Sequence, residues 1–265
     1  MLPRLDLVRV VDTRNASYLV TVDPTDLFIQ QEFRKGVMWE AQPFHAVFDN
    51  LCAVQRCDDG VVLDLGANVG SHAMYIAKHL ATELWAFEPQ RKIFQQLVGN
   101  LLLNSMPHVW AMNVALSSAS GAPLQLQHSR GRPTNYGEAA VVAAPPRSSS
   151  KGASREEIYA LNLDEVWTAR GRPRIPLIKI DVEGHEVPVF KGATALLHQE
   201  RPAIVFEDRT GASRGGRTVA HLKSLGFYCV QKLLPHSKNY DFVALPRRNA
   251  SWPSSPACSF WCHCE

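Results

Sequence analysis

The sequence predicts an α/β fold: a doubly wound, mostly parallel sheet with helices on both faces and its last strand antiparallel. Three observations carry this expectation. Apolar runs of strand length alternate with stretches of helical spacing, the pattern of βαβ units. The runs are apolar along their length, as strands covered on both faces must be. The final two runs stand too close together for a helical crossover, so they pair antiparallel and add an edge to the sheet.

Residues 7–11 and 18–22 read as two short strands around a polar turn, and 26–33 as a helical stretch stopped at Gly36. The segment 1–50 is too small to build its own core and is expected to be an N-terminal extension. The main domain is expected over 51–248. Its first strand, 61–65, is a compact apolar run ended by Gly66, and 71–80 carries Met74, Ile76, Ala77 and Leu80 at helical spacing. A second strand, 84–87, ends at Glu88 and Pro89, and a helix follows over 91–103. A third strand covers 109–115. The fourth, 175–180, ends at Asp181; the helix after it, 186–197, tolerates Pro188 because a first-turn proline forfeits no hydrogen bond. A fifth, 203–206, ends at Glu207 and Asp208. A short helix over 218–225 leads to the paired runs 226–230 and 241–245, which brings the sheet to seven strands.

Residues 128–155 are the irregular part. Arg130, Arg132, Arg147, Lys151 and Arg155 stand against a single acid, Glu138, around a low-complexity stretch, so a basic, flexible insertion is expected. Residues 249–265 are expected to be a flexible tail that contains Cys258, Cys262 and Cys264.

Composition narrows the class. Of 265 residues, 46% are apolar and 20% charged, which excludes wholesale disorder and leaves enough apolar surface for a core without disulfide staples. The formal charge of +3 is too small to argue for a nucleic-acid partner. Cys52, Cys57 and Cys229 lie apart in apolar surroundings and read as ordinary buried thiols of a reducing compartment. Arg4, Asp6 and Arg9 interrupt the amino terminus, and no window approaches the ~20 apolar residues that span a bilayer. A soluble, cytoplasmic protein with no membrane span is the expectation.

The sharpest chemical signal is Asp64-Leu65-Gly66-Ala67-Asn68-Val69-Gly70-Ser71, which leaves a strand and enters a helix. Glycines allow a tight turn and close approach of a ligand, and free amides at a helix start attract anionic groups. The spacing is not the G-x-G-x-x-G of nicotinamide enzymes, and Asp64 would repel a pyrophosphate while suiting an ammonium or sulfonium. That disfavours a nicotinamide-dependent oxidoreductase. Glu88, about twenty residues on at the end of the second strand, sits where a carboxylate accepts both hydrogen bonds of a ribose diol.

These segments, with Asn113-Val114-Ala115-Leu116-Ser117, Leu163-Asp164-Glu165-Val166 and Ile178-Lys179-Ile180-Asp181-Val182-Glu183-Gly184-His185-Glu186, resemble the successive signatures of FkbM-type methyltransferases. The resemblance runs from residue 60 to about 210. It implies the class I, seven-stranded Rossmann-like fold with strand order 3-2-1-4-5-7-6, strand seven antiparallel. It also implies S-adenosyl-L-methionine as cofactor and methyl transfer to a hydroxyl oxygen of a sugar, glycoconjugate or secondary metabolite. Gly66, Asn68 and Gly70 would line the methionine part, Asp64 help hold its amino group directly or through water, Glu88 bind the ribose, and Asn113 and Val114 flank the adenine.

Asp181, at the carboxyl end of the fourth strand, is the candidate base for a hydroxyl acceptor, with His185 the second; Asp181 also has a reading as a cofactor ligand. Asp181 and Glu183 supply two hard oxygen ligands, but a third is not evident, so no metal is expected. On the acceptor side stand Glu40, after Trp39, and Asn135 within Thr134-Asn135-Tyr136-Gly137. Asp164 is expected to cap the helix that it begins. The partner expected is a small-molecule or glycan acceptor; a cofactor-binding module without turnover is the remaining alternative.

Overall fold

The computed structural model describes residues 5–26, 29–121, 123–127, 140–143, 155–207, 216–232 and 241–246. The chain opens with β1 (Asp6–Val11), β2 (Ser17–Val22), α1 (Ile29–Arg34) and α2 (Ala41–Gln55). It continues with β3 (Val61–Leu65), α3 (Ser71–His79), β4 (Glu83–Phe87), α4 (Arg91–Leu103) and β5 (Val109–Met112). Next come β6 (Ala115–Leu116), β7 (Pro123–Gln127), β8 (Ala140–Ala143), β9 (Arg155–Leu161) and α5 (Leu163–Ala169). The last part holds β10 (Leu177–Ile180), α6 (Glu186–Lys191), α7 (Thr194–Glu200), β11 (Ala203–Glu207), α8 (Arg217–Ser224), β12 (Phe227–Lys232) and β13 (Asp241–Pro246).

The principal sheet is mixed and runs β12-β13-β11-β10-β3-β4-β5. Neighbours from β11 to β5 pair in parallel, while β13 is antiparallel to both β11 and β12. Both faces are covered. Along β3, Val62 packs into one core with Phe48, Met74 and Leu97, whereas Leu63 and Leu65 pack into the other with Trp167, Phe190 and Leu196. Each fully buried side chain of that size contributes roughly 1.5–3 kcal/mol, which is why the strand is apolar at successive positions. Among the described residues no helix is long and apolar enough to cross a membrane.

Several expectations are corrected. The run 109–115 is two strands: β5 ends at Met112, and β6 pairs with β9 in a second, four-stranded sheet of order β6-β9-β7-β8. The break falls at Asn113, whose side-chain amide donates to the carbonyls of Glu88 and Pro89. That second sheet claims part of the stretch read as irregular, since β8 lies inside 128–155 and pairs antiparallel with β7. Apart from Arg155, which begins β9, the rest of that insertion, the residues around Asn135 and the 249–265 tail lie outside the described residues. The helix over 186–197 is two helices broken at Gly192, where a Cβ would come within 2.1 Å of the Ser117 carbonyl oxygen.

Sequence reading also missed α2, which runs through position 50. Its signal was present: Phe44, Val47, Phe48 and Leu51 repeat at helical spacing and are all buried. At its end Arg56 turns left-handed (φ 53°), so that Cys57 N–H reaches the Cys52 carbonyl at 3.3 Å. That turn brings the two Cα atoms to 4.8 Å, and the pair read as free thiols is a disulfide. With it goes the cysteine argument for a reducing compartment. Finally, Asp164 does not cap its own helix. Asn162 does so, and Asp164 instead accepts the amides of Ala195 and Leu196 at the start of α7, each at 2.8 Å.

The hairpin β1–β2 is held by α4. Asn104 exchanges hydrogen bonds with both backbone groups of Leu19, and Asn100 accepts from Thr21 N–H at 2.7 Å. The other end of the Asn100 amide donates to Val69 O at 2.8 Å, so one fully buried side chain ties the N-terminal hairpin to the glycine turn.

Candidate active site

The carboxyl ends of β3, β4, β10 and β11 open into one cavity of about 480 Å³. This is where the crevice of a doubly wound sheet lies.

The glycine turn is fastened on two sides. Gly66 and Ala67 N–H both reach Phe87 O at 2.9 Å, and Asp181 N–H reaches Leu65 O at 2.9 Å. Gly66 has φ +80°, and a Cβ there would lie 1.8 Å from Asp181 O. Glycine is required at 66 because the next strand's carbonyl fills the space. Asn68 is left-handed (φ 52°), which aims its N–H at Glu88 Oε2, 3.0 Å away. Gly66 and Asn68 stand in the cavity wall; Gly70 does not, being packed against Leu97 where a Cβ would meet Cδ1 at 2.7 Å.

Glu88 is buried in the wall, and its second oxygen accepts Gln90 N–H at 2.8 Å. Burial pushes its carboxyl up to about 7, with the two amide hydrogen bonds pulling the other way. Val114 reaches the wall beside Phe87 and Leu116, whereas Asn113 supports it from behind.

Asp64 is not in the wall at all. It is fully buried, and Lys179 stands between it and the cavity, with Nζ 3.1 Å from Asp64 Oδ1 and 2.8 Å from Gly66 O. Burial raises the Asp64 carboxyl and works against the Lys179 charge, but Asp64, Asp181 and Glu40 together hold the lysine above its ordinary value. Lys179 went unassigned in the sequence reading. A lysine inside Leu177-Ile178-Lys179-Ile180, a strand buried at every position, was the signal.

Asp181 lies in the wall with Oδ1 buried and without a hydrogen-bond partner. Glu183 and Glu207 stand beside it, one oxygen of each of the three lying within 4.8 Å of the others. Glu207, from the end of β11, is the third acid that the sequence reading did not find, because it is brought there only by the parallel pairing of β10 with β11. His185 is in the wall too. Its Nε2 meets Ser117 Oγ at 3.1 Å, and burial holds its pKa below the ordinary histidine value. Glu40 also lines the cavity in a left-handed conformation (φ 51°), after Trp39, whose carbonyl accepts from Ser71 Oγ at 3.1 Å. Leu126 and Val141 of the second sheet line the cavity as well. His72, also unassigned from sequence, is a buried wall residue.

Methyltransferase sdnD from Sordaria araneosa is 30% identical over 154 residues, which cover 49% of this chain and 59% of that protein. Hexuronic acid methyltransferase AglP from Haloferax volcanii is 29% identical over 149 residues, 56% of each. The chain thus spans less than two thirds of the length of these curated relatives. Among solved structures, a methyltransferase FkbM from Methylobacillus flagellatus KT aligns at 14% identity over 71% of this chain and 44% of that one, with a TM-score of 0.47. The family model of the methyltransferase FkbM domain matches residues 64–241, well over half of the chain. That match starts at Asp64 and takes in the glycine turn, Glu88 and Asp181: the chain belongs to the FkbM family of methyltransferases.

Proposed function

We propose that this protein moves a methyl group from S-adenosyl-L-methionine to a hydroxyl oxygen of a sugar, glycoconjugate or secondary metabolite. The observation that carries the reading is that Gly66, Asn68, Glu88 and Asp181 wall a single cavity. The donor fits these residues. The Glu88 carboxylate suits a ribose diol, the apolar surface of Phe87, Val114 and Leu116 suits a purine ring, and the acids around Asp181 suit a sulfonium. When bound, the sulfonium supplies the methyl carbon for an in-line displacement in which the O–C bond forms as the C–S bond breaks.

The chain aligns the acceptor and removes its proton. Asp181 is assigned as the base, since its unpartnered Oδ1 is ready to accept from a hydroxyl. His185 is assigned a supporting part, because Ser117 already engages its Nε2. The acceptor is assigned the part of the cavity lined by Trp39, Glu40, Leu126 and Val141. A sugar acceptor is supported by the relative that acts on hexuronic acid.

The test is methyl transfer from labelled donor to a panel of glycans, glycolipids and small hydroxylated metabolites. A labelled product is expected, and Asp181→Asn should slow its formation at least ~100-fold while the affinity for S-adenosylhomocysteine changes little. Full turnover by Asp181→Asn would remove Asp181 as the base; binding of NAD in place of the adenosyl donor would remove the reading itself.

A further inference from the structure

We propose that Glu186 is a positioning residue for the transfer reaction: its buried carboxylate holds the turn after β10 in the path that presents Asp181, Glu183 and His185 to the acceptor. The inference rests on the reading of the reaction above and adds the group that orients its base.

The turn is a strained piece of backbone. Glu183 (φ 54°) and Gly184 (φ 92°) are both left-handed. For a residue with a side chain that conformation costs roughly 1–2 kcal/mol. Successive amides in such a turn point toward one spot and form a concavity for an anion. Here the anion is the chain's own. Glu186 Oε1 accepts Gly184 N–H at 3.0 Å, and backbone hydrogen bonds at Glu186 itself and at Val182 also favour the ionised carboxylate. Burial pushes the carboxyl up to about 7 against those bonds, and the nearby charge of Asp181 adds to the rise.

Helix capping does not account for this arrangement. An acid in a first turn is common, but α6 has only six residues, and an exposed acid would serve its start as well. Glu186 is instead 2% exposed, a burial that a glutamate accepts only with partners. What the carboxylate secures lies on the other face of the turn. Asp181, Val182, Glu183 and His185 line the cavity, and Glu186 stands behind them. Asp181 N–H is pinned to Leu65 O at 2.9 Å, and His185 N–H reaches back to Val182 O at 3.2 Å. Between those two points the Glu186 carboxylate supplies the acceptor that offsets the left-handed strain. Without it the Gly184 amide loses that acceptor, and Asp181 and His185 lose their common orientation.

Turnover and donor binding, measured side by side on the full chain at pH 8, test this. Glu186→Gln keeps the size and one acceptor but lacks the charge. In it kcat at saturating labelled donor and acceptor should fall about tenfold, while the affinity for S-adenosylhomocysteine by calorimetry stays within about twofold of the native value. Glu186→Ala should lose more kcat than Glu186→Gln, which makes glutamine a partial rescue; Glu186→Gln carries the test by itself if the alanine variant does not fold. In an Asp181→Asn background, Glu186→Gln should add less than about a twofold loss, because a group that acts through the base then has nothing to position. Native kcat in Glu186→Gln, a parallel loss of S-adenosylhomocysteine affinity, or an undiminished further loss in the Asp181→Asn background each overturn the positioning role and leave the reading of the reaction in place. A native protein that neither binds S-adenosylhomocysteine nor transfers methyl overturns the two together.

Discussion

On the proposed donor reading, Glu88 should make the affinity for the adenosyl cofactor depend on pH. Its carboxyl is pushed up to about 7 by burial, although each oxygen already accepts a backbone amide. A ribose diol donates hydrogen bonds, so it selects the ionised carboxylate. One pH unit below 7, roughly one site in eleven carries that charge; one unit above, roughly ten in eleven do. The affinity for S-adenosylhomocysteine should therefore rise about tenfold between pH 6 and pH 8, with release of a proton on binding at pH 6. Calorimetry in buffers of different ionisation heat measures both quantities. In Glu88→Gln the slope should vanish and the affinity stay low throughout, since a neutral amide accepts less well and turns a donor toward one of two N–H groups. A flat profile in the native protein, or the same slope in Glu88→Gln, would refute the reasoning. The sign for stability is opposite. The folded pKa lies above the ordinary 4.5, so the stabilisation is fully present below pH 4.5 and is lost, by about 3 kcal/mol, as pH rises through about 7 without ligand.

Three further outcomes concern the frame around the site. Gly66→Ala should destabilise the fold by about 2 kcal/mol or more, from left-handed strain and a Cβ placed 1.8 Å from Asp181 O; a urea midpoint within error of the native protein would contradict the packing described. Asp164→Ala should cost about 1–2 kcal/mol, because two α7 amides lose their acceptor, and an Asp164→Asn variant should recover part of it. Fully buried His45, stacked on Tyr75, has its pKa lowered to about 4 by burial. The unfolded chain takes up the proton first, so this stabilisation is present above pH 6.5 and lost by about 3 kcal/mol as pH falls through about 4; unfolding curves at pH 7 and pH 4.5 that coincide would exclude it.

The readable part of this protein is local. Runs such as Val61–Leu65 and Glu83–Phe87 are apolar because both faces are covered, and their order with the intervening helices identifies the sheet type before any contact is known. The glycine turn, Glu88 and Asp181 were equally visible, because polar residues directly after an apolar run mark the strand ends that face the crevice. The mistakes came where a residue answers to something distant in the chain. Gly192 breaks a continuous helical pattern for the sake of Ser117 O, and Asp164 serves a helix that begins thirty residues later. Residues 140–143 look like part of a loose insertion until β7 gives them a partner.

What the sequence determined alone, then, is the alternation of strand and helix, the turn at Gly66–Gly70, and the carboxylates at the ends of the strands. These depend on backbone preference and on the pattern of burial, both written in neighbouring residues. Only the tertiary structure decided that Glu207 joins Asp181 and Glu183, that Asp64 lies behind Lys179, and that Cys52 meets Cys57. Each of these depends on strand neighbours or on a single left-handed residue, and one-dimensional spacing carries no record of either.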